Sequence, residues 1–370
     1  MESVSIAKTN RMNSLKHVAF AGGGSGGHLF PAIAIAQTLL TRQIATQLTF
    51  LTSCRPIDQR VIESSGLPTD KVRCIPLPLS SSAGRIAYGI KVARAFVQCR
   101  TEMKTDRPEI VIGLGGFASV PGVLAAAWLK IPIVLIETNA IPGAANRFLS
   151  RFAKTTFSGW PMSKRVRQSW RSEIDDVGIP LRTEFFNISR TASPSPTLLI
   201  LGGSQGASRV NELVLHALSV CRNELADWHI IHQVGAHNAA TVAAEYQHRG
   251  ISVDVTEFVQ NIPQVLSTTD VIISRCGAVT LAEIAAAGCA SVLIPLSSSA
   301  DAHQQANAQI FADARASRVV DERSADAIQQ LTDAVMELCT SSAVRHELST
   351  HARSLATLDA TERIVDSLSR

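Results

Sequence analysis

A glycine-rich turn between an apolar strand and a helix is the feature that most constrains this chain. Residues 18–21 are apolar, residues 22–27 hold five glycines and one serine, and Pro31 follows within a helical pattern. Glycine permits positive φ and close backbone approach, and proline suits the first turn of a helix. Free amide groups at such a helix start can face an anion. The pattern therefore predicts a phosphate-binding turn in an α/β domain.

The same order of strand, glycine turn and helix occurs twice more, at residues 113–122 and 198–207. Apolar runs rich in β-branched residues alternate with helical patterns, and they lie at residues 47–52, 110–113, 133–136, 197–201, 229–234, 253–258, 271–274 and 291–294. This alternation is typical of parallel sheets with crossover helices. For a chain of 370 residues we expect an α/β protein with two Rossmann-like doubly wound parallel-sheet domains that face each other across a cleft.

The composition suggests where the domains divide. A Ser/Pro stretch at residues 191–196 coincides with a change in charge: residues 1–190 carry 24 Lys and Arg against 12 Asp and Glu, and residues 191–370 carry 11 against 19. We expect a disordered leader at 1–14 that is no signal peptide. We expect a first domain at 15–178, a linker at 179–196 and a second domain at 197–350. A C-terminal helix at 351–370 should pack back towards the first domain.

Cysteine usage and hydropathy narrow the class of protein. The seven cysteines are scattered and form no Cys-x-x-Cys pair, which fits a reducing compartment, the cytosol, and no structural zinc. The longest apolar region, residues 120–136, is interrupted by Pro121, Lys130 and Pro132, so we expect no transmembrane helix. The basic first half indicates an anionic partner, either nucleic acid or a membrane surface.

The first glycine turn formally matches the dinucleotide fingerprint Gly-x-Gly-x-x-Gly, a weak signal when it stands alone. Binding of NAD would need an acidic residue near the end of the second strand. Residues 53–56 offer none there, although Arg55 could serve a 2′-phosphate. An NADP-dependent oxidoreductase therefore stays an alternative. No Gly-Lys-Ser/Thr follows any of the three turns, which excludes a Walker-type site.

Further motifs at residues 137–143, 178–182, 274–288 and 303–308 follow the glycine turns in a characteristic order. With them the chain, from about Lys16 to its last residue, closely resembles the MurG family, the peptidoglycan N-acetylglucosaminyltransferases of glycosyltransferase family 28. The resemblance implies the GT-B fold. It also implies a hexosyltransferase that moves N-acetylglucosamine from UDP-N-acetylglucosamine to the C4 hydroxyl of the muramoyl sugar of lipid I, giving lipid II and UDP with inversion. Such an enzyme serves cell-wall synthesis, cell shape and cell division.

The resemblance also implies site residues. Those for UDP-N-acetylglucosamine are Ser25, Gly26, Gly27, Asn139, Arg182, Ser204, Gln205, Val259, Ala278, Val279, Thr280, Leu281, Ala282, Glu283 and Gln304. Those for the acceptor are Gly24, His28, Gly115, Gly116 and Phe117. His28 is the candidate catalytic base, because a histidine near its ordinary pKa accepts a proton at neutral pH. The alternative for His28 is a helix-start residue that only hydrogen-bonds the turn.

In the family, the counterpart of Arg182 lies near the donor diphosphate, that of Glu283 accepts the ribose hydroxyls and that of Asn139 holds the donor sugar. Gln304 matches a further sugar residue, with His303 and Asn307 as supporting neighbours. Ser204 and Gln205 match diphosphate and nucleotide contacts, and Val259 matches the position whose backbone contacts uracil. Local alternatives stay open: Asn139 as a turn residue, and Thr280-x-x-Glu283 as a helix capping box.

Three positions depart from the family pattern: Ser25 replaces a threonine, Phe117 a tyrosine, and Ile179 an asparagine. The departures at Phe117 and Ile179 put the hydroxyl contact of the glycine turn at residues 113–122 in doubt, but not the donor site. Another GT-B glycolipid glycosyltransferase, a UDP-sugar epimerase and a non-catalytic nucleotide-binding scaffold stay as further alternatives.

We expect no cofactor and no metal, since the chain contains no Asp-x-Asp to clamp a diphosphate. The resemblance implies two substrates as partners, UDP-N-acetylglucosamine and lipid I. Whether other cell-wall synthesis proteins also bind stays open. Residues 84–100, with Trp128, interleave apolar and cationic side chains, which favours peripheral binding to the anionic cytoplasmic face of the cell membrane over a core-packed helix with a solvated charged face. No aromatic-rich platform accompanies the basic half, so nucleic acid is not an expected partner.

Overall fold

The computed structural model describes residues 15–24, 26–79, 85–186, 188, 195–202, 208–235, 239–297 and 302–370. The predicted leader at 1–14, the predicted site residues Ser25, Ser204 and Gln205, and most of the Ser/Pro stretch lie outside these ranges. Two parallel sheets organise the described chain.

The first sheet has seven parallel strands in the order β3-β2-β1-β4-β5-β6-β7. They are β1 (Leu15–Ala21), β2 (Ala45–Ser53), β3 (Val72–Leu77), β4 (Ile110–Gly113), β5 (Ile133–Glu137), β6 (Thr155–Ser158) and β7 (Glu173–Asp176). The helices between them are α1 (Gly26–Thr41), α2 (Pro56–Glu63), α3 (Arg85–Thr105), α4 (Ser119–Trp128), α5 (Ala144–Leu149) and α6 (Lys164–Ser169). A short 3₁₀ helix at Thr183–Phe185 follows β7.

The second sheet has six parallel strands in the order β10-β9-β8-β11-β12-β13. They are β8 (Thr197–Leu201), β9 (His229–Gln233), β10 (Asp254–Thr256), β11 (Val271–Ser274), β12 (Ala290–Leu293) and β13 (Ser317–Val319). Its helices are α7 (Ser208–Val220), α8 (Ala239–His248), α9 (Ile262–Thr268), α10 (Ala278–Ala287), α11 (Ala302–Asp313), α12 (Ala327–Thr340) and α13 (Ser342–Ser354). The predicted pair of doubly wound parallel sheets is confirmed.

The central strands are apolar because helices cover both of their faces. Val18 to Ala21 in β1 and every residue of β8 and β11 are buried. Parallel strands covered on both sides form continuous apolar runs rather than alternating ones. The glycine turns after β1 and β4 follow the carboxyl ends of such strands, at the edge of the sheet where open α/β proteins bind ligands, whereas residues 203–207 of the turn after β8 lie outside the described residues.

The segment that joins the two sheets is anchored in a core. Ile179, Leu181 and Phe185 are buried in an apolar cluster that also holds second-domain residues such as Leu281 and Ile284. The predicted linker at 179–196 therefore begins with residues that pack between the domains rather than with a free connection.

The last helix, α14 (Ala360–Leu368), packs on α1 of the first domain. Ile364 and Val365 join the apolar core beneath α1, and Arg42 pairs with the carboxylates of Glu362 at 2.6 Å and Asp366 at 2.8 Å. Helix α13 continues to Ser354, so the predicted boundary at residue 350 cuts a helix. No helix among the described residues combines the length and the apolar character needed to cross a membrane.

Candidate active site

A buried carboxylate fixes the first glycine turn. Gly22, Gly23 and Gly24 all have positive φ, and a Cβ at Gly23 would lie 2.6 Å from Oδ2 of Asp58. The Gly24 amide donates to Asp58 Oδ1 at 2.8 Å and Oδ2 at 2.9 Å, and Ser53 Oγ donates to Oδ2 at 2.5 Å. Asp58 is 0% exposed. The turn is therefore held in shape from within the protein.

Asp58 is a residue of this turn that was not predicted. The resemblance places Gly24 on the acceptor side, but the Gly24 N–H donates to Asp58, because the first turn of α2 points that carboxylate at it. Arg55 donates from Nη1 to the Gly24 carbonyl at 3.0 Å. Asp58 lies two residues beyond the stretch at 53–56 in which a ribose-binding acid was expected and is absent. The amides left for an anion are those at the start of α1, beginning with Gly26 and Gly27.

His28 lies against the glycine turn at residues 113–122. A Cβ at Gly116 would lie 3.1 Å from His28 Nε2, and a Cβ at Gly115 would lie 3.5 Å from His28 Cε1. Both glycines also have positive φ, a backbone conformation that disfavours any side chain at these positions. Burial lowers the pKa of His28, while the Glu137 carboxylate and the Leu114 carbonyl act in the opposite sense. His28 is therefore uncharged at neutral pH, the state in which an imidazole accepts a proton.

Phe117, the next residue of that turn, is 67% exposed. It precedes α4 and offers an apolar ring, with no hydroxyl, beside the His28 pocket.

Glu137, at the end of β5, organises the loop that follows it. Its Oε1 accepts from the backbone N of Asn139 at 3.0 Å and from Asn139 Nδ2 at 3.2 Å. Its Oε2 accepts from Gly143 N and Asn146 Nδ2, both at 3.0 Å. Glu137 is buried, so the four donors replace its lost hydration. Glu137 was predicted only as part of the motif at residues 137–143, with no role of its own.

Asn139 also reaches the second domain. Asn307 on α11 donates from Nδ2 to Asn139 Oδ1 at 3.2 Å, and its Oδ1 accepts from the Ala140 amide at 2.9 Å. His303 Nδ1 lies 2.9 Å from the Ile141 carbonyl. The loop after β5 and the start of α11 thus meet across the cleft.

Gln304 lies on the same turn of α11. Its Oε1 accepts from the amides of Cys276 and Leu296, both at 3.1 Å. The amide oxygen is therefore engaged, and a sugar hydroxyl would be recognised by the Nε2 group.

Arg182 and Glu283 come together between the domains. Arg182 Nη2 donates to Glu283 Oε1 at 3.2 Å, and the Arg182 guanidinium carbon lies 4.8 Å from the ring centre of Phe30 on α1. Burial raises the pKa of Glu283 to about 7, and Arg182 opposes that rise. One cation thus contacts the glycine-turn helix of the first domain and the acidic side chain of the second.

The structure excludes the capping-box alternative for Glu283. Helix α10 begins at Ala278 with Gly277 as its N-cap, so Thr280 lies inside the helix and cannot cap it. Ala278, Val279, Leu281 and Ala282 are buried in one apolar cluster with Val259, which follows β10. The predicted donor-site residues of the second domain, where described, therefore form one continuous region. Their binding roles stay predictions.

The chain matches both domains of one enzyme family. Residues 18–158 match the glycosyltransferase family 28 N-terminal domain, and residues 197–364 match the glycosyltransferase family 28 C-terminal domain. The chain is 33% identical over 356 residues to the UDP-N-acetylglucosamine--N-acetylmuramyl-(pentapeptide) pyrophosphoryl-undecaprenol N-acetylglucosamine transferase of Geotalea uraniireducens, covering 95% of this chain and 97% of that one.

Solved structures are similar over nearly the whole chain. MurG of Acinetobacter baumannii superposes with a TM-score of 0.75 at 28% identity, over 95% of this chain and 99% of that one. The UDP-GlcNAc 2-epimerase of Neisseria meningitidis superposes with a TM-score of 0.69 at 14% identity, over 95% and 99%, which shows a shared fold alone. These matches confirm the predicted GT-B architecture and favour a glycosyltransferase over the oxidoreductase alternative. The chain belongs to glycosyltransferase family 28, among its MurG-type members.

Proposed function

We propose that this chain transfers N-acetylglucosamine from UDP-N-acetylglucosamine to the C4 hydroxyl of the muramoyl sugar of lipid I, forming lipid II and UDP in peptidoglycan synthesis. The observation that carries the proposal is the position of Arg182. Its guanidinium joins Phe30 of the glycine-turn helix to Glu283 of the facing domain. A diphosphate in the cleft would meet this cation at the junction of the two domains, and the planar fork of arginine suits phosphate oxygens.

The donor belongs mainly to the second domain. Glu283 accepts the ribose hydroxyls, Arg182 offsets the charge of the diphosphate, and Asn139 and the Nε2 group of Gln304 bind the sugar. Positive charge beside the leaving diphosphate stabilises the transition state, because negative charge develops there as the glycosidic bond breaks. No metal is needed in this scheme.

The acceptor lies on the first domain, against the glycine turns and Phe117. The acceptor O4 attacks the anomeric carbon, and the bond from that carbon to the diphosphate oxygen breaks with its electron pair leaving on UDP. The O4 proton passes to His28. A base in this position contributes about 10²–10⁴-fold to the rate of comparable reactions.

A membrane-facing surface supports the choice of a lipid-linked acceptor. Helix α3 buries Ala95, Cys99 and Met103, while Ile90 and Val97 on another face are 53% and 56% exposed. Trp128, at the end of α4, is 68% exposed and meets Phe96 edge-on at 6.4 Å between ring centres. We call Ile90, Val97 and Trp128 the apolar patch.

Cations lie beside the apolar patch. Arg94 lies on the exposed side of α3, one turn from Ile90 and Val97, and Lys130 lies two residues after Trp128. Phe148 on α5 and Phe152 just after it are also exposed, and the Arg151 guanidinium carbon lies 4.6 Å from the Phe148 ring centre. Exposed aromatic and aliphatic side chains with neighbouring cations suit the headgroup region of an anionic membrane. We infer peripheral binding to the cytoplasmic face, where other cell-wall synthesis proteins would be met.

Flotation with liposomes tests the membrane proposal. The wild-type chain should float with vesicles that contain an anionic lipid and should float less with neutral vesicles. Trp128→Ser should reduce flotation, whereas Val220→Ser, which changes a side chain 62% exposed on the second domain, should not. Equal flotation on neutral and anionic vesicles would contradict the proposal.

A radiolabel transfer assay tests the activity. With UDP-N-acetylglucosamine labelled in the sugar and a short-chain lipid I analogue, label should appear in the lipid product. Transfer to diacylglycerol but not to the lipid I analogue would instead indicate a glycolipid glycosyltransferase. Binding of the nucleotide sugar without transfer to either would indicate a non-catalytic scaffold.

A further inference from the structure

Asn139 is held from both domains at once. Its Nδ2 group donates to Glu137 of its own domain, and its Oδ1 accepts from Asn307 of the facing domain. A carboxylate can only accept and an Asn Nδ2 group can only donate, so the two partners together allow one orientation of the Asn139 amide. Glu137 alone would fix only the Nδ2 end of the Asn139 amide, and Asn307 alone would fix only its Oδ1 end.

Asn307 is buried and fully engaged in hydrogen bonds. It is 0% exposed, and besides its bonds to Asn139 and Ala140 its Nδ2 group donates to the Cys276 carbonyl at 3.1 Å. That carbonyl belongs to the loop just before α10, the helix that carries Glu283. Asn307 thus links the loop after β5 to the nucleotide side of the cleft. Its amide bonds to Asn139 and Ala140 of the first domain and to Cys276 of the second.

We propose that Asn307 is an inter-domain positioning residue that sets the amide of Asn139 for the donor sugar, so that sugar recognition depends on contact between the domains. The inference rests on the proposed function, because it assigns the sugar to Asn139. It predicts that the sugar part of the donor, and not its nucleotide, depends on Asn307.

The variants separate positioning from structural support. Asn307→Ala removes the hydrogen bonds that Asn307 makes to Asn139 Oδ1 and to the Ala140 amide. Asn307→Asp keeps an acceptor for the Ala140 amide but sets a carboxylate against Asn139 Oδ1. The Asn139 amide would then turn its oxygen towards Glu137 or lose the contact altogether, so this isosteric change should harm sugar binding at least as much as alanine does. Gln309→Ala is the matched control, since Gln309 lies exposed on α11 and, among the described residues, its side chain bonds only to Asp313 on the same helix.

Calorimetric titration with UDP and with UDP-N-acetylglucosamine provides the test. For Asn307→Ala we expect the affinity for UDP-N-acetylglucosamine to fall about tenfold, the effect of about 1.4 kcal/mol, while the affinity for UDP changes less than about twofold. In an Asn139→Ala background, Asn307→Ala should then add little, because the residue it positions is gone.

Two results would overturn the inference. Equal weakening of UDP and UDP-N-acetylglucosamine would mean that Asn307 only supports the fold, and additive losses in the double variant would mean that it does not act through Asn139. Failure of the wild-type chain to transfer labelled sugar to the lipid I analogue would overturn the proposed function itself, and the inference with it.

Discussion

The affinity for UDP-N-acetylglucosamine should depend on pH through Glu283. Burial raises the pKa of this carboxyl to about 7, against the opposing effect of Arg182. The ionised carboxylate accepts the ribose hydroxyls more strongly than the neutral acid does. With a pKa near 7, about one-tenth of the protein carries the carboxylate at pH 6 and about nine-tenths at pH 8. The dissociation constant should therefore fall about tenfold between pH 6 and pH 8.

Calorimetry at pH 6, 7 and 8 measures this change. UDP-N-acetylglucosamine is the right ligand, because its diphosphate is esterified at both ends, whereas the terminal phosphate of UDP titrates in the same range. Burial lowers the pKa of His28 below its ordinary value, so His28 titrates below Glu283 and the step from pH 7 to pH 8 reports on Glu283. Arg182→Met removes the cation that opposes the shift, so it should move the midpoint to higher pH as well as weaken binding.

Glu283→Gln should bind more weakly with an affinity that no longer varies with pH. The control is Glu184→Gln, which changes an exposed carboxylate two residues from Arg182 and should keep the wild-type slope. A flat wild-type profile, or a slope that survives in Glu283→Gln, would refute the assignment of the titration to Glu283.

Three further predictions follow from the site. His28→Ala should lower transfer at saturating lipid I analogue by about 10²-fold or more while UDP-N-acetylglucosamine still binds, and near-normal turnover would rule out its role as base. Asp58→Ala leaves the Gly24 amide without its acceptor, so it should lower the free energy of unfolding in urea by about 2 kcal/mol, whereas exposed Asp70→Ala should change it by less than about 0.5 kcal/mol. Sugar transfer should persist in EDTA, since Arg182 supplies the positive charge beside the diphosphate. Activity that is lost in EDTA and restored by a divalent cation would contradict this role of Arg182.

Local patterns predicted the central strands and one edge strand, β10, and missed the other outer strands. The bounds expected at 110–113, 197–201 and 271–274 are those of β4, β8 and β11. Strands β3, β7 and β13 at the sheet edges and β6 beside an edge were not predicted. Strand β7 contains one apolar residue among four, because an edge strand is half solvated and needs no continuous apolar run.

The same limit applies to the site. The glycine turns and helix α3 were predicted from neighbouring residues, although the helix starts and ends at Arg85 and Thr105 rather than at 84 and 100. The Asp58 contact with Gly24 joins residues 34 positions apart, and the Asn307 contact with Ala140 joins residues 167 apart. No periodicity encodes such pairs, because they arise only when two loops or two domains meet.

The most direct test of the central claim is the structure of the product. The purified chain, UDP-N-acetylglucosamine and a lipid I analogue should give a disaccharide lipid whose NMR spectrum shows a β linkage from N-acetylglucosamine to O4 of the muramoyl sugar, together with released UDP. An α linkage, attachment at another oxygen, or release of free sugar with no disaccharide would contradict the account.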